Sequence, residues 1–96
     1  MTEREITILE ILDRNRREMY GLEIVEQSQG RLKKGTIYHW LQRLEEQGFI
    51  TSRSEDTVNV EGQIPRRLYR IVEGGTRALL DAQTQNSMGG LMPSMA

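Results

Sequence analysis

The chain of 96 residues contains no cysteine, two prolines and one histidine. The absence of cysteine excludes a disulfide framework, a thiolate nucleophile and a cysteine-based zinc site. General acid–base catalysis needs a positioned partner, but Arg43, not a carboxylate, follows His39 four residues later. Gly74 and Gly75 lack the neighbouring residues of a phosphate-binding loop. We therefore expect no enzyme, no metal site and no cofactor.

Long hydrophobic runs are also missing, since only 36% of the residues are hydrophobic. No apolar run approaches the roughly 20 residues that a membrane-spanning helix needs. The length is sufficient for one domain with a small core, to which dimerisation would add buried apolar surface. A chain without cysteine fits a reducing compartment. We expect a cytoplasmic protein of one folded domain, with no membrane partner.

Neither sign of charge dominates, because 13 basic and 14 acidic residues give a formal net charge of −1. Many DNA-binding domains are basic, but a DNA phosphate responds to charge within a Debye length of about 8–10 Å. Basic residues cluster within residues 14–17, 31–34 and 66–70, while most acidic residues lie elsewhere. This segregation would allow DNA binding despite a nearly neutral sum. Charges that are merely solvated would give the same pattern.

Hydrophobic spacing predicts the order helix, helix, turn, helix, strand, strand, helix. Thr2 and Glu5 are spaced as a capping box at the start of the first helix, and the second helix is predicted over residues 19–27. Residues 33–50 then read as a helix that ends at Gly48 and continues directly into a strand. The last helix is predicted to begin near Glu73.

The third helix has one apolar stripe, formed by Ile37, Leu41 and Leu44. At about 100° per residue, His39 then points away from the core, and Gln42 and Arg43 flank it. Arginine and glutamine have the geometry to read guanine and adenine edges in the major groove. An ordinary amphipathic helix, with an exposed histidine of no role, would show the same stripe.

Four segments together resemble the PadR family of bacterial transcriptional regulators: residues 20–24 (YGLEI), 35–38 (GTIY), 48–50 (GFI) and 66–71 (RRLYRI). The resemblance covers roughly residues 5–80. It implies a mainly α-helical winged helix-turn-helix fold with three helices, a two-stranded wing and a C-terminal helix. It also implies a homodimer that acts as a repressor on double-stranded DNA, often relieved by a small-molecule effector.

Lys33 and Lys34 precede the third helix, where the helix dipole disfavours cations by about 0.3–1 kcal/mol. An external phosphate held by the lysines and the helix N-terminus explains them, although flexible exposed lysines would cost little. Tyr38 could donate its hydroxyl to a phosphate, and Trp40 is interpreted as a residue at the edge of the core. The predicted DNA contacts are Lys33, Lys34, Thr36, Tyr38, His39, Gln42, Arg43, Arg66 and Arg67.

The C-terminal segment determines the expected domain boundaries. Residues 1–86 are predicted to form the winged-helix domain with a short dimerisation helix, whereas Gly89, Gly90 and Pro93 predict a disordered tail over residues 87–96. Such a short helix needs help from the first helix to form a dimer. The candidate interface residues are Ile6, Leu9, Leu79, Leu80 and Ala82.

A winged helix used only for protein interaction is the alternative, because fold does not fix function. A protein-binding face should carry apolar or aromatic anchors, whereas the third helix offers His39, Gln42 and Arg43. The wing tip, residues 54–64, is acidic and therefore unsuited to the minor groove. Its length fits either a mobile loop or an extended hairpin.

Overall fold

The structure, a computed structural model, describes the backbone of residues 1–55 and 66–95 and the side chains of residues 1–55 and 66–84. The three strands form one antiparallel sheet in the order β1-β3-β2. The predicted mainly α-helical fold with a small β wing is confirmed. In chain order the elements are α1 (Glu3–Asn15), β1 (Met19–Tyr20), α2 (Gly21–Gln27), α3 (Ile37–Glu46), β2 (Ile50–Ser54), β3 (Arg67–Ile71) and α4 (Glu73–Met95).

The predicted capping box begins α1. The Thr2 hydroxyl accepts the Glu5 N–H at 3.3 Å, and the Glu5 carboxylate accepts the Thr2 N–H at 2.9 Å. Two otherwise unpaired backbone donors are thereby satisfied. The helix ends at Arg16, which adopts a left-handed conformation with φ 53° and donates its N–H to the Leu12 carbonyl.

One hydrophobic core lies beneath the helices and the sheet. Helix α1 packs against α2, α3, β3 and α4, so it is the central element. Each Leu or Ile buried there contributes about 1.5–3 kcal/mol relative to an exposed position. The buried core residues are Ile8, Leu9, Ile11, Leu12, Met19, Ile24, Leu32, Ile37, Leu41, Leu44, Ile50, Tyr69 and Leu79.

Helix α3 follows its sequence pattern closely. Ile37, Leu41 and Leu44 are fully buried, and Trp40 is partly buried against the core, as predicted for a residue at its edge. Gly48 has a φ of +81°, the left-handed conformation expected after this helix. The chain therefore turns from α3 into β2 within a few residues.

Strand β1 differs from the sequence prediction. Met19 and Tyr20 were expected in the second helix, but they pair antiparallel with Tyr69 and Leu68 of β3. Their conformation is set by a strand almost fifty residues away, which local helical spacing cannot reveal. The predicted two-stranded wing is therefore part of a three-stranded sheet.

Two glycines let the start of α4 lie directly on the turn after α3. A Cβ on Gly75 would overlap the Phe49 carbonyl oxygen, and a Cβ on Gly74 would lie 2.8 Å from the Gly48 carbonyl oxygen. The Val72 N–H also donates to the Phe49 carbonyl at 3.2 Å. Close backbone packing therefore explains two residues that, by propensity alone, weaken the helix.

Helix α4 is longer than predicted, because its helical backbone runs to Met95, and the disordered tail expected over residues 87–96 stays a prediction. Glycine costs about 1 kcal/mol in a helix without sterically forbidding it. Most of the wing tip, predicted over residues 54–64, lies outside the residues that the structure describes. Its predicted acidic surface and its loop or hairpin form therefore stay predictions.

Candidate nucleic-acid interface

The outer face of α3 is exposed among the described residues. His39 and Glu46 point away from the buried stripe, and the residues on either side of them contact different parts of the protein. All nine side chains predicted to contact DNA are exposed: Lys33, Lys34, Thr36, Tyr38, His39, Gln42, Arg43, Arg66 and Arg67. All nine side chains are therefore accessible to DNA, but they differ in the protein groups that surround them.

Two lysines lie just before α3. The Lys33 carbonyl accepts the N–H groups of Thr36 and Ile37 at 3.2 and 3.0 Å, so the turn that carries both lysines is ordered against the helix start. Thr36 makes no side-chain cap. Within the described residues, neither Lys33 nor Lys34 has a carboxylate within 4.0 Å. Their charge thus remains available at the positive end of the helix dipole.

One side of α3, which we call the wing flank, carries Tyr38, Gln42 and Glu45 and faces α2 and the sheet. The Tyr38 ring lies on Gly21, where an added Cβ would be 2.9 Å from Cε1 and 3.2 Å from the hydroxyl oxygen. Tyr38 is 52% exposed. Its hydroxyl makes no hydrogen bond to any residue that the structure describes.

The wing flank is joined to the sheet through Ser52. The Ser52 hydroxyl lies 2.8 and 3.0 Å from the two carboxylate oxygens of Glu45. Arg67 donates from Nη2 to the same hydroxyl oxygen at 2.9 Å and from Nη1 to the Ser54 hydroxyl at 3.3 Å. The guanidinium is therefore oriented by neutral acceptors, and no carboxylate of the described residues lies within 4.0 Å of it.

The other arginine at the wing base rests on an aromatic ring. The Arg66 guanidinium carbon lies 5.2 Å from the centroid of Tyr20, a cation–π distance. The Tyr20 hydroxyl donates to a Glu55 carboxylate oxygen at 2.7 Å, and this bond is the main reason that the pKa of Tyr20 is raised. Tyr20 thus contacts Glu55 and Arg66, the described residues at the two ends of the wing segment.

These groups line a cleft of about 570 Å³ between α2, α3 and β3, within the usual range for a ligand site. Its walls combine aromatic rings with two cations, and the buried Tyr69 has a pKa that burial raises. Tyr20, Gly21 and Tyr69 were not predicted from the sequence to contribute to this site. The cleft is lined by Tyr20, Gly21, Leu22, Glu23, Glu26, Tyr38, Arg66, Arg67 and Tyr69.

The opposite side of α3, which we call the N-terminal flank, carries Trp40, Arg43 and Gln47 and faces the start of α1. The guanidinium carbons of Arg43 and Arg4 each lie 5.9 Å from the Trp40 ring centroid. Arg43 therefore has an intramolecular partner, although it was predicted to read a base.

Glu5 organises the N-terminal flank. This residue is only 2% exposed, and Gln47 donates to its carboxylate at 3.3 Å. Burial by itself raises the pKa of Glu5, but hydrogen bonds from Thr2 and Gln47 and the nearby charge of Arg43 hold it below its usual value of 4.5. The sequence revealed Glu5 as a capping residue but gave no signal for its contact with α3.

Arg53 on β2 pairs with Glu18, with Nε–Oε2 and Nη2–Oε1 distances of 2.6 and 2.8 Å. This pairing, with further help from the charge of Arg70, lowers the pKa of Glu18. Arg53 therefore serves to join β2 to the segment before β1.

The five predicted dimer residues differ in accessibility. Leu9 and Leu79 lie in the core of the single chain, at 0% and 3% exposure, so their side chains have no surface to offer a second copy. This placement corrects their assignment, because one sequence cannot distinguish a core stripe from an interface stripe. Ile6 and Ala82 are half-buried, and Leu80 is 61% exposed.

The described part of the chain offers no membrane-spanning helix and no metal-binding cluster. Among residues 1–55 and 66–95, no helix has the length and apolar character needed to cross a bilayer. The same residues contain no group of three His, Cys, Asp or Glu side chains that could hold a metal ion.

The fold and its exposed third helix define a winged-helix protein. The sequence model of the PadR-like family of transcriptional regulators matches residues 8–81. The chain therefore belongs to that family, as its sequence motifs predicted, and membership in a family of regulators confirms the expectation that it is not an enzyme. No curated protein matches the chain.

Solved structures are similar over most of the chain. A PadR family regulator from Clostridium difficile R20291 has 27% identity and a TM-score of 0.69, with 95% of each chain covered. A PadR family regulator from Eggerthella lenta DSM 2243 has 26% identity and a TM-score of 0.66, with 93% of this chain and 83% of that chain covered. PadR from Bacillus subtilis, in complex with operator DNA, has 24% identity and a TM-score of 0.71. That match covers 85% of this chain but only 47% of PadR, so this chain spans about half of its length.

Proposed function

We propose that the protein is a cytoplasmic transcriptional repressor that binds a palindromic operator as a homodimer. The observation that carries this proposal is the polar outer face of α3, which lies between two groups of cations without carboxylate partners in the described residues. These cations are Lys33 and Lys34 at the helix start and Arg66 and Arg67 at the wing base. The Bacillus subtilis PadR complex with operator DNA supports a DNA partner for this chain.

Helix α3 would enter the major groove with its N-terminal half leading. His39 and Gln42 are exposed beside each other on this half and can reach base edges, with glutamine suited to adenine N6 and N7. The cations on either side would contact the two phosphate backbones and set the orientation of the helix. A small-molecule effector of unknown identity would act by shifting this binding equilibrium.

The dimer contact is proposed to centre on Leu80 of α4, the most exposed large hydrophobic residue in the part of the chain whose side chains are described. Ile6 and Ala82 would contribute their accessible edges. Leu80→Asp should favour monomers and weaken operator binding, because a monomer occupies only one half-site. Sedimentation velocity with and without the substitution measures this directly. A dimer that persists unchanged in Leu80→Asp contradicts this interface.

The function is tested by fluorescence anisotropy with the DNA upstream of the protein's own gene and a scrambled duplex, across a salt series. A specific regulator should prefer the upstream DNA, and the logarithm of its affinity should fall linearly with the logarithm of salt concentration. Absence of binding to both duplexes at low salt contradicts the proposal. It would instead favour the protein-interaction alternative, for which Leu22 and Tyr38 provide exposed apolar anchors.

Lys34→Ala separates phosphate contacts from base contacts. The substitution should weaken binding to both duplexes equally and reduce the salt slope by about one unit, because it removes one cation–phosphate contact. Arg4→Ala is the matched control, since Arg4 is an exposed cation on the N-terminal flank. A loss limited to the upstream DNA would contradict the phosphate role of Lys34.

A further inference from the structure

We propose that the β3 side of the cleft between α2, α3 and β3 binds one DNA phosphodiester, through the guanidinium of Arg67 and the hydroxyl of Tyr38. Ser52 and Gly21 are positioning residues for these two groups. This inference rests on the proposed function and deepens it, because it assigns a specific phosphate contact to the junction of the recognition helix and the wing. We call this place the phosphate seat.

Arg67 is held in place without being neutralised. Its donors contact Ser52 and Ser54 hydroxyl oxygens at 2.9–3.3 Å, and no carboxylate of the described residues lies within 4.0 Å of it. A guanidinium has five N–H donors, so some remain for a phosphate. Because its rotamer is already restricted, Arg67 would lose less side-chain entropy on binding an anion.

Ser52 orients the Arg67 guanidinium because the Ser52 hydroxyl proton is directed to a different residue. That proton is donated to Glu45 on α3, which leaves the oxygen lone pairs to accept from Arg67 on β3. The series Glu45–Ser52–Arg67 thus joins the recognition helix to the sheet. An acidic residue on α3 therefore assists a nearby cation instead of simply opposing DNA.

Gly21 sets the position of Tyr38. The Tyr38 ring and hydroxyl lie against the α-carbon of Gly21, and a methyl group there would come within 2.9 Å of the ring. The hydroxyl has no protein partner among the described residues, although the ring lines the cleft. An anion in the cleft would supply the missing acceptor.

The charges around the cleft favour its β3 side. Glu23 and Glu26 line the α2 side. Glu23 accepts from the Tyr20 N–H at 2.9 Å and pairs with Arg17 at 3.1 Å, so it is largely satisfied within the chain. Arg66 and Arg67 belong to the β3 side, where Arg66 already rests on the Tyr20 ring. A phosphate is therefore attracted to the β3 side and repelled from the α2 side.

A double-mutant cycle tests the Ser52–Arg67 step, with binding of the full chain to the upstream and scrambled duplexes as the readout. Arg67→Ala should weaken both complexes about fivefold or more and reduce the salt slope by about one unit. Ser52→Ala should weaken both at least about twofold in the native background but not in the Arg67→Ala background. Thr51→Val is the control, because it removes a hydroxyl from the opposite face of β2.

A second cycle tests the Gly21–Tyr38 step. Gly21→Ala should preserve the circular dichroism spectrum and the melting temperature, since only the end of a flexible side chain must move. It should nevertheless weaken DNA binding, and the loss should vanish in the Tyr38→Phe background because both changes remove the same contact.

The outcomes separate the phosphate seat from the broader function. If the native chain binds neither duplex, the proposed function itself fails. If the native chain binds but the paired substitutions are additive, or Ser52→Ala and Gly21→Ala have no effect, only the phosphate seat is overturned. Non-additive losses on both duplexes, with Thr51→Val unchanged, support it.

Discussion

The two flanks of α3 are equally polar in sequence but differ in what they face. On the N-terminal flank, Arg43 lies against Trp40 and near Glu5, and Gln47 donates to Glu5. On the wing flank, Tyr38 borders an open cleft, its hydroxyl has no partner among the described residues, and Gln42 is exposed beside it. One flank is thus committed to holding the fold together, and the other has donors available to an external partner.

This difference shows why a helical wheel does not suffice to assign base-reading residues. Gln42 and Arg43 are adjacent, exposed and both suited to base edges. Tertiary neighbours distinguish them, because α1 provides partners for the side of α3 on which Arg43 lies. We therefore assign base recognition to Gln42 and His39 ahead of Arg43, and the following substitutions test that ranking.

The largest effect on DNA binding is expected from Gln42→Ala. Loss of a contact to a base edge should cost about 1–3 kcal/mol on the upstream DNA and relax sequence preference. Binding to the scrambled duplex should change little, because no phosphate contact is removed. Anisotropy on both duplexes measures the two effects together. Equal losses on both would remove the base-reading role of Gln42.

Glu5→Ala should have the next largest effect, on stability rather than on DNA binding. It removes the acceptor for Thr2 and Gln47, including half of the capping box, and should cost about 1–2 kcal/mol in the free energy of unfolding. Urea unfolding at neutral pH gives the value. A variant as stable as the native chain would show that Glu5 does not anchor the N-terminal flank.

Ionisation of Glu5 makes the free energy of unfolding depend on pH in a predictable direction. Because its folded-state pKa lies below 4.5, the ionised carboxylate stabilises the fold above about pH 4.5, and this contribution is lost as the pH falls towards the folded pKa. Glu5→Gln should therefore show a smaller loss of stability below pH 4.5 than the native chain. The difference between the two chains isolates Glu5 from Glu18 and Glu23, whose pKa values are also lowered. Parallel pH profiles would contradict this role.

Arg43→Ala should have the smallest effects of the series. Loss of the cation–π contact with Trp40 should cost about 0.5–1 kcal/mol of stability, and affinity for the upstream DNA should fall less than for Gln42→Ala. Thermal unfolding and anisotropy measure the two quantities. A specific loss of 1 kcal/mol or more on the upstream DNA would restore Arg43 as a base reader.

Features set by local spacing were predictable from the sequence. The apolar stripe of α3, the capping box of α1 and the left-handed Gly48 follow from residues within one or two helical turns. The motifs of residues 20–24 and 66–71 identified the family before any contact was known. These features all depend on the residues next to them in the chain.

Features set by distant contacts were not predictable. Strand β1 exists because β3 lies beside it, and Leu9 and Leu79 are buried against elements far along the chain. The orientation of Arg67 depends on the register that brings Ser52 and Ser54 opposite β3. The cleft likewise requires three elements to meet, so the sequence showed its arginines and Tyr38 but not their common site.

The most direct test of DNA recognition measures which flank of α3 the DNA covers. The native chain has no cysteine, so Gln42→Cys and Arg43→Cys each introduce one thiol whose alkylation rate can be measured with and without saturating upstream DNA at low salt. If DNA binds through the wing flank, it should slow alkylation strongly in Gln42→Cys and little in Arg43→Cys. Protection at neither position, or stronger protection in Arg43→Cys, would contradict DNA recognition through the wing flank.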